Sequence, residues 1–369
     1  MRRRLMAAPL KDNFDRPTVE LLAERFDRLH DGFDSHAFTS SLLDEFPSLE
    51  LKDRINLIAD RLAHDLPADY EAALAMVVQV AVDGVDGWAA WPLCSFVERH
   101  GVASPVPSLE AMPALTKRWS CEFAIRPFLD DHLELTLEYL RQWVLDSDEA
   151  VRRLPSEGTR PLLPWGPKVA ALTNDPQIGL EFLNALRHDE SEAVRRSVAN
   201  HLNDVAKAEP DLVVSVLAQW SDETYPVDER MVRHALRTLV KNGHPGALSL
   251  LGYETDPAVD VTEFACQPSR VSLGDQVTLT AQLTSTSEQE QLLVIDFVIH
   301  HVKASGATST KVFKWKTEQL AAGETIHLSK RRRIQTATTR RYHAGEHRVD
   351  LQVAGQVLAS THFDLDESS

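Results

Sequence analysis

Cysteine is scarce in this chain, with three in 369 residues, at positions 94, 121 and 266. Their spacing matches neither a paired metal-ligand motif nor a disulfide framework, and it fits a reducing compartment. Long hydrophobic runs are absent too. No stretch approaches the roughly 18 apolar residues that cross a bilayer, so no membrane association is expected. The opening Met1-Arg-Arg-Arg-Leu-Met-Ala-Ala is basic, but no apolar core follows, which excludes a signal peptide of the usual kind and leaves a cytoplasmic location expected. There is no GxGxxG before a helix, no P-loop and no HExxH, so neither a nucleotide nor a metal cofactor is implied. Positive charge is in short supply: 39 Lys and Arg face 55 Asp and Glu, for a net charge of -16. Taken alone, that balance argues against a nucleic-acid partner.

What is present divides the chain in two. A length of 369 residues exceeds one ordinary core, and a 43% hydrophobic content suits a sizeable interior. The first part reads as helix after helix, with apolar residues at helical spacing in Thr18–Leu29 and Leu51–Leu62. A repeat emerges after residue 120. Ala150-Val-Arg-Arg153 recurs as Ala193-Val-Arg-Arg196 and, loosely, as Met231-Val-Arg-His234, while Leu140-Arg-Gln-Trp143 is echoed by Leu217-Ala-Gln-Trp220. A period near 40 residues with two helices each is the signature of a HEAT-like solenoid, whose second helices line one concave groove. Trp143 and Trp220 fall in the same register and read as core.

From Val259 the period becomes two. Val277, Leu279, Ala281 and Leu283 alternate with polar residues, as do Leu293, Ile295, Phe297 and Ile299, and Val349, Leu351 and Val353. Turn signals intervene at Gly274, Gly306, Gly323 and Gly345. About seven short strands without a cysteine pair suggest a cysteine-free immunoglobulin-like β-sandwich. The expected organisation is therefore a multidomain chain: an all-α HEAT-like solenoid over residues 1–253, then an all-β sandwich over 258–369. The sandwich holds a local exception to the acidity. Residues 311–341 contain nine basic side chains against Glu318 and Glu324. Lys330, Arg331, Arg332 and Arg333 defy strand alternation, so one face there must leave the core, at an edge or in a protruding hairpin paired with the Lys311, Lys314 and Lys316 strand. Such a run either protects an edge against aggregation or grips a polyanion.

The solenoid pattern breaks once, in Pro155-Ser-Glu-Gly-Thr-Arg-Pro-Leu-Leu-Pro-Trp165, where Gly158, Pro161 and Pro164 interrupt a helix. A plain inter-repeat loop is one reading, and a local function is the other. This block, with Val194-Arg-Arg-Ser-Val-Ala-Asn-His-Leu-Asn-Asp204, Ser120-Cys-Glu-Phe-Ala-Ile-Arg-Pro-Phe-Leu129 and the opening Pro9-Leu-Lys-Asp-Asn-Phe14, resembles the DNA alkylation repair glycosylases built from HEAT-like repeats, specifically the AlkC branch. The resemblance covers about residues 8–250, and some members of that branch carry a C-terminal immunoglobulin-like domain. Arg2, Arg3 and Arg4 are not part of the pattern.

The resemblance implies excision of cationic N-methylated bases, such as 3-methylcytosine and 1-methyladenine, from double-stranded DNA by a monomeric enzyme. A cationic base is already a good leaving group, so the protein must stabilise an oxocarbenium-like sugar and orient water, which carboxylates do. Glu122, Glu157 and Asp204 are the candidates, one from each block. Trp165 is the candidate aromatic face for a cationic base or sugar, with Trp119 and Trp143 behind it. Arg160 beside the broken helix is a candidate phosphate ligand, and Arg152, Arg153, Arg195 and Arg196 are candidate groove contacts to the DNA backbone, as Lys330–Arg333 are from the sandwich. Each has a plainer reading. Glu122 suits a helix start, Glu157 a cap, Asp204 a pairing with Arg196 or Lys207, and the four paired arginines an inter-repeat ion-pair ladder. No lysine stands out as an amine nucleophile in the three blocks, so simple hydrolysis without strand cleavage is expected. The competing class is a non-catalytic HEAT-repeat scaffold for protein partners.

Overall fold

The computed structural model of the chain describes residues 9–335 and 342–366, so Arg2–Arg4, Arg340 and Arg341 lie outside the described residues. It divides into two compact units, Met1–Val205 and Ala206–Ser369.

The first unit is helical throughout: α1 (Arg16–Asp27), α2 (Ser35–Glu45), α3 (Leu51–Asp65), α4 (Tyr70–Val82), α5 (Trp91–His100), α6 (Pro105–Thr116), α7 (Arg126–Asp131), α8 (Leu133–Trp143), α9 (Glu149–Gly158), α10 (Ala170–Asn174), α11 (Leu180–Leu186) and α12 (Glu192–Val205). Local sequence explains many of the starts. Asp15, Asp34, Asp69 and Asp148 each precede a helix, and their side chains accept a backbone N–H of the first turn. Apolar faces then meet pairwise, and a continuous core runs from Phe14 through Leu62, Phe96, Phe128 and Leu154 to Phe182. The Val-Arg-Arg repeats open α9 and α12, and Trp143 is buried at the end of α8 as its register required. Cys94 and Cys121, distant in sequence, lie side by side in this core as free thiols with sulfurs 3.5 Å apart.

The second unit joins the last helices to the sandwich. It contains α13 (Pro210–Ser221), α14 (Glu229–Ala235), α15 (Arg237–Lys241), α16 (Pro245–Leu250), and strands β1 (Val259–Gln267), β2 (Arg270–Val271), β3 (Gln276–Ser285), β4 (Gln291–Val302), β5 (Thr308–Leu320), β6 (Thr325–Arg333), β7 (Gly345–Val353) and β8 (Gln356–Leu365). Helix gives way to strand between Leu250 and Val259, where the change of period put it. Compactness divides the chain earlier, because α13–α16 belong with the sandwich. Three strands form one sheet in the order β1-β3-β6 and five form the other, β2-β8-β7-β4-β5.

Two strand expectations need correcting. The inner residues of β4, Leu293 to Ile299, are buried as alternation requires, yet so are Val294, Asp296 and Val298 on its other face. The helical tail covers that face: Val294 packs with Leu248, Tyr253 and Ala354, and the Gln352 amide donates to the Lys241 carbonyl at 2.8 Å. A strand buried on both sides loses its polar alternation. The second correction concerns the basic strands. β5 pairs with β4 in one sheet and β6 with β3 in the other, so they form no hairpin with each other. Each is instead the edge of its own sheet. Lys330, Arg331 and Arg333 are exposed on β6, whereas Arg332 turns its guanidinium over the Phe313 ring at 4.3 Å.

The helical tail meets the sandwich at Gly243 and Gly355. Both have positive φ, and a Cβ on Gly355 would sit 2.2 Å from the Gly243 Cα. Gly355→Ala is therefore expected to lower stability by about 2–3 kcal/mol, since it adds a backbone clash to a left-handed conformation. Gly306→Ala, also left-handed but with open space around it, is expected to cost about 1 kcal/mol. Denaturant unfolding of the two variants checks this, and equal effects would contradict the close approach.

Candidate active site

Helix α9 stops at Gly158, and the segment from Thr159 to Val169 runs without helix until α10. Pro161, Pro164 and Pro167 explain why it cannot continue as one. Glu157 thus falls in the last turn of α9, and Asp204 in the last turn of α12. Both carboxylates sit where a helix dipole is negative and disfavours them. Both are also buried, each with 4% of its surface exposed. Stability alone would not choose acids there.

Arginines make the arrangement possible. Arg160 is itself buried and donates from Nε to Asp204 at 2.8 Å and from Nη1 to Glu157 at 2.5 Å. Ser197 on α12 donates to the other Glu157 oxygen at 2.6 Å, and Arg153 lies 3.3 Å from it. Arg153 continues the chain to Glu122, donating from both terminal nitrogens at 3.2 Å, and Ser120 donates to the same carboxylate at 2.9 Å. The result is a continuous alternation: Glu122, Arg153, Glu157, Arg160, Asp204. Burial works to raise the Glu157 pKa, but the Arg153 and Arg160 charges and the Ser197 hydroxyl outweigh it, so the carboxyl is held below its ordinary range. For Arg160, burial acts to lower the pKa, and Glu157 and Asp204 reverse that.

One step outward is an aromatic cavity of about 690 Å³, whose wall includes Trp88, Trp91, Trp119, Glu122, Phe123 and Trp165. Trp119 stacks on Trp91 with centroids 5.0 Å apart. Trp165 stands out differently: it is 62% exposed and has φ of 66°, a left-handed conformation that a bulky residue rarely adopts. Such an outlier is a common mark of a working site. Arg153 and Pro164 complete the contact between the cavity and the carboxylate chain.

The structure thus brings together Glu122, Glu157, Asp204, Trp119, Trp165, Arg153 and Arg160. It does not leave Arg160 facing solvent as a phosphate ligand, because its guanidinium is occupied by two buried carboxylates. Arg153 is likewise turned inward. Of the candidate groove contacts, Arg152 and Arg195 are bonded within the protein. Arg152 pairs with Asp189 at 2.7 Å and donates to the Asp146 and Ser147 carbonyls, and Arg195 donates to the Asp189 and Glu190 carbonyls. Arg152 ties α9 to the turn before α12, and Arg195 ties that turn to its own helix. Arg196 is exposed and pairs with Glu192 at 3.8 Å.

Several participants carried no signal in the sequence. Ser197 lies within the Val194–Asp204 block without a motif of its own. His201 on α12 is fully buried, accepts or donates at Nδ1 with the Ser156 carbonyl at 2.9 Å, and burial drives its pKa down to about 4. Lys52 and Arg126 contact the Thr159–Val169 segment from elsewhere in the chain. Among the described residues, no group of three or more His, Cys, Asp or Glu side chains is placed to hold a metal ion. No helix among them is long and apolar enough to cross a membrane.

Comparison with known proteins gives the family. Residues 115–239, which include every carboxylate above, match the family described as DNA alkylation repair enzyme. Residues 260–367 match the C-terminal Ig-like domain of the uncharacterised protein YhaZ. The YhaZ protein of Bacillus subtilis is 34% identical over 361 residues, spanning 97% of this chain and 99% of its own length. A solved structure of the Pseudomonas fluorescens alkylpurine DNA glycosylase AlkC, bound to DNA containing an abasic site analogue, superposes with a TM-score of 0.91 at 34% identity, over 97% of this chain and 99% of that one. The chain belongs to the AlkC branch of the DNA alkylation repair glycosylases. An adaptor solenoid is thereby set aside, and the β-domain is the immunoglobulin-like module that accompanies AlkC-type helical repeats.

In this AlkC-type solenoid, Arg152 is bonded to Asp189 and to two backbone carbonyls. Arg152→Met is expected to lower stability by about 3 kcal/mol, because it strands the buried Asp189 carboxylate. The salt dependence of DNA binding is expected to stay as it was. A flatter salt slope with unchanged stability would reverse the assignment.

Proposed function

We propose that the protein is a monofunctional glycosylase that hydrolyses the N-glycosidic bond of cationic N-methylated bases in double-stranded DNA, with 1-methyladenine and 3-methylcytosine as substrates. The observation that carries this reading is the chain of three carboxylates, two of them buried, held by Arg153 and Arg160 beside an aromatic cavity. A cationic base departs with the bonding electrons as a neutral heterocycle and needs no proton from the protein. The positive charge passes to the sugar. The carboxylates stabilise that charge, and a water aligned by one of them adds to C1′ and loses its proton to it. Trp165 and Trp119 offer π faces to a cationic ring or sugar. The AlkC neighbour is described as acting on alkylpurines, which 1-methyladenine exemplifies, and 3-methylcytosine shares its charge.

Lys52, the lysine that approaches this region, is occupied by the Trp165 carbonyl and the Phe123 ring, which favours hydrolysis over an amine-linked intermediate. The protein is proposed to act as a monomer without cofactor, in the cytoplasm, where DNA is accessible to it.

Glu122→Gln, Glu157→Gln and Asp204→Asn are each expected to slow release of the methylated base at least tenfold, since one well-placed electrostatic group contributes about 2–4 kcal/mol. Affinity for undamaged duplex is expected to change little. Release of uracil, a neutral base, is expected to be far slower than that of 1-methyladenine. Full activity in all three variants, or comparable uracil release, would contradict the mechanism.

The exposed cations of the β6 edge are proposed to hold DNA phosphates. Replacing Lys330, Arg331 and Arg333 with Ala is expected to weaken binding to all duplex sequences and to reduce the salt slope by about one for each lost contact. Arg332→Ala, which removes a group committed to Phe313, is expected to leave the slope unchanged. Equal slopes for the triple variant and the native chain would leave β6 as a charged edge that blocks aggregation.

A further inference from the structure

The Thr159–Val169 segment presents Trp165 in a strained conformation, and two cationic side chains from distant parts of the first unit hold it there. Arg126 opens α7 and is 1% exposed. Its Nη1 donates to the Gly158 and Arg160 carbonyls at 2.8 and 2.9 Å, and its Nε to the Pro167 carbonyl at 2.5 Å. Two of these acceptors lie at or just beyond the end of α9, where a broken helix leaves carbonyls without donors. The third lies at the far side of the segment, so one guanidinium spans both of its ends. No carboxylate among the described residues pairs with Arg126, and a buried cation without an ion pair is costly to keep. The segment is also fitted closely to it. A Cβ on Gly166 would come 3.3 Å from the Arg126 Cδ and 2.9 Å from Leu163, and one on Gly158 would come 2.6 Å from Ile125.

Lys52 on α3 holds the middle. Its ammonium donates to the Trp165 carbonyl at 2.5 Å and stands over the Phe123 ring, 4.5 Å from the centroid. Phe123 follows Glu122 in the chain and shares the cavity wall with it. Lys52 therefore ties the left-handed residue to the turn that carries a carboxylate.

We propose that Lys52 and Arg126 are positioning residues for excision, which lock the broken segment so that the Trp165 indole is presented beside Glu122 before DNA arrives. The inference rests on the reading of Trp165 as a substrate-facing group. A site held in advance loses less freedom in reaching the reactive geometry, and small misplacements are costly in rate. A helix-end cap would hold the segment equally well whether or not Trp165 had work to do, and the test separates the two.

Arg126 variants risk misfolding, so Lys52 carries the experiment. Lys52→Met keeps the apolar stem and removes the donor. Single-turnover release of 1-methyladenine from a duplex is measured for the native chain, Lys52→Met, Trp165→Ala and the double variant, with affinity for undamaged duplex alongside. Lys52→Met is expected to slow release about tenfold without changing affinity, Lys52→Arg to restore most of the rate, and the double variant to be no slower than Trp165→Ala. An equal loss from Lys52→Met in both backgrounds, or full activity of Lys52→Met, overturns the proposal. In parallel, 5-fluorotryptophan is incorporated and the Trp165 fluorine resonance is assigned by Trp165→Phe. That resonance is expected to shift or broaden in Lys52→Met. If the native chain releases no base, the proposed function fails, and the resonance still decides the inference: an unchanged Trp165 line in Lys52→Met overturns it.

Discussion

The site depends on one guanidinium. Arg160 bonds to Glu157 and Asp204 together, and those two carboxylates close α9 and α12, where helix dipoles and burial both oppose negative charge. Arg160 offsets that opposition by bonding to both acids at once, and Arg153 extends the same device to Glu122. The carboxylates make the arginines tolerable in a buried position, and the arginines do the same for the carboxylates. Within this chain three carboxylates alternate with two guanidiniums, an arrangement that suits a reaction in which positive charge moves from base to sugar.

The break in the solenoid follows from the same need. A regular α9 would carry its last turn onward and bury its carbonyls in its own hydrogen bonds. Gly158 and three prolines end it, and the freed chain turns back over the site with Arg160 at one end and Trp165 near the other. Four carbonyls at and beyond the break take side-chain donors: Arg126 for Gly158, Arg160 and Pro167, and Lys52 for Trp165. These bonds anchor the irregular segment at both ends and at its left-handed tryptophan.

The sequence made the larger elements legible because periodicity reports burial directly. The helices, the change to strands near residue 259 and the single broken repeat could all be located from it. The three carboxylates that the structure links through arginines each lie in a block with a distinctive pattern, which makes them legible as candidates. Arginine roles were harder. Arg152, Arg160 and Arg195 are the same residue type as a phosphate ligand, and only their burial against Asp189, Glu157 and backbone carbonyls shows that they face inward. Alternation in β5 and β6 told which side chains share a face but not which strand lies alongside, so two sheet edges were taken for one hairpin. Lys52 and Trp165, 113 residues apart, and the Cys94–Cys121 contact have no local pattern that could reveal them.

In the proposed mechanism Glu157 works ionised, and no group on the protein donates a proton to the departing base. The most direct measurement is the pH dependence of single-turnover release of a permanently cationic N-alkylpurine from duplex DNA. Glu157 titrates below the ordinary carboxylate range, so the rate is expected to stay level from about pH 8 down to about pH 6 and to fall only as acid protonates Glu157. A rate that instead declines as the pH rises from 6 to 8 would reveal a required proton donor and would contradict the account.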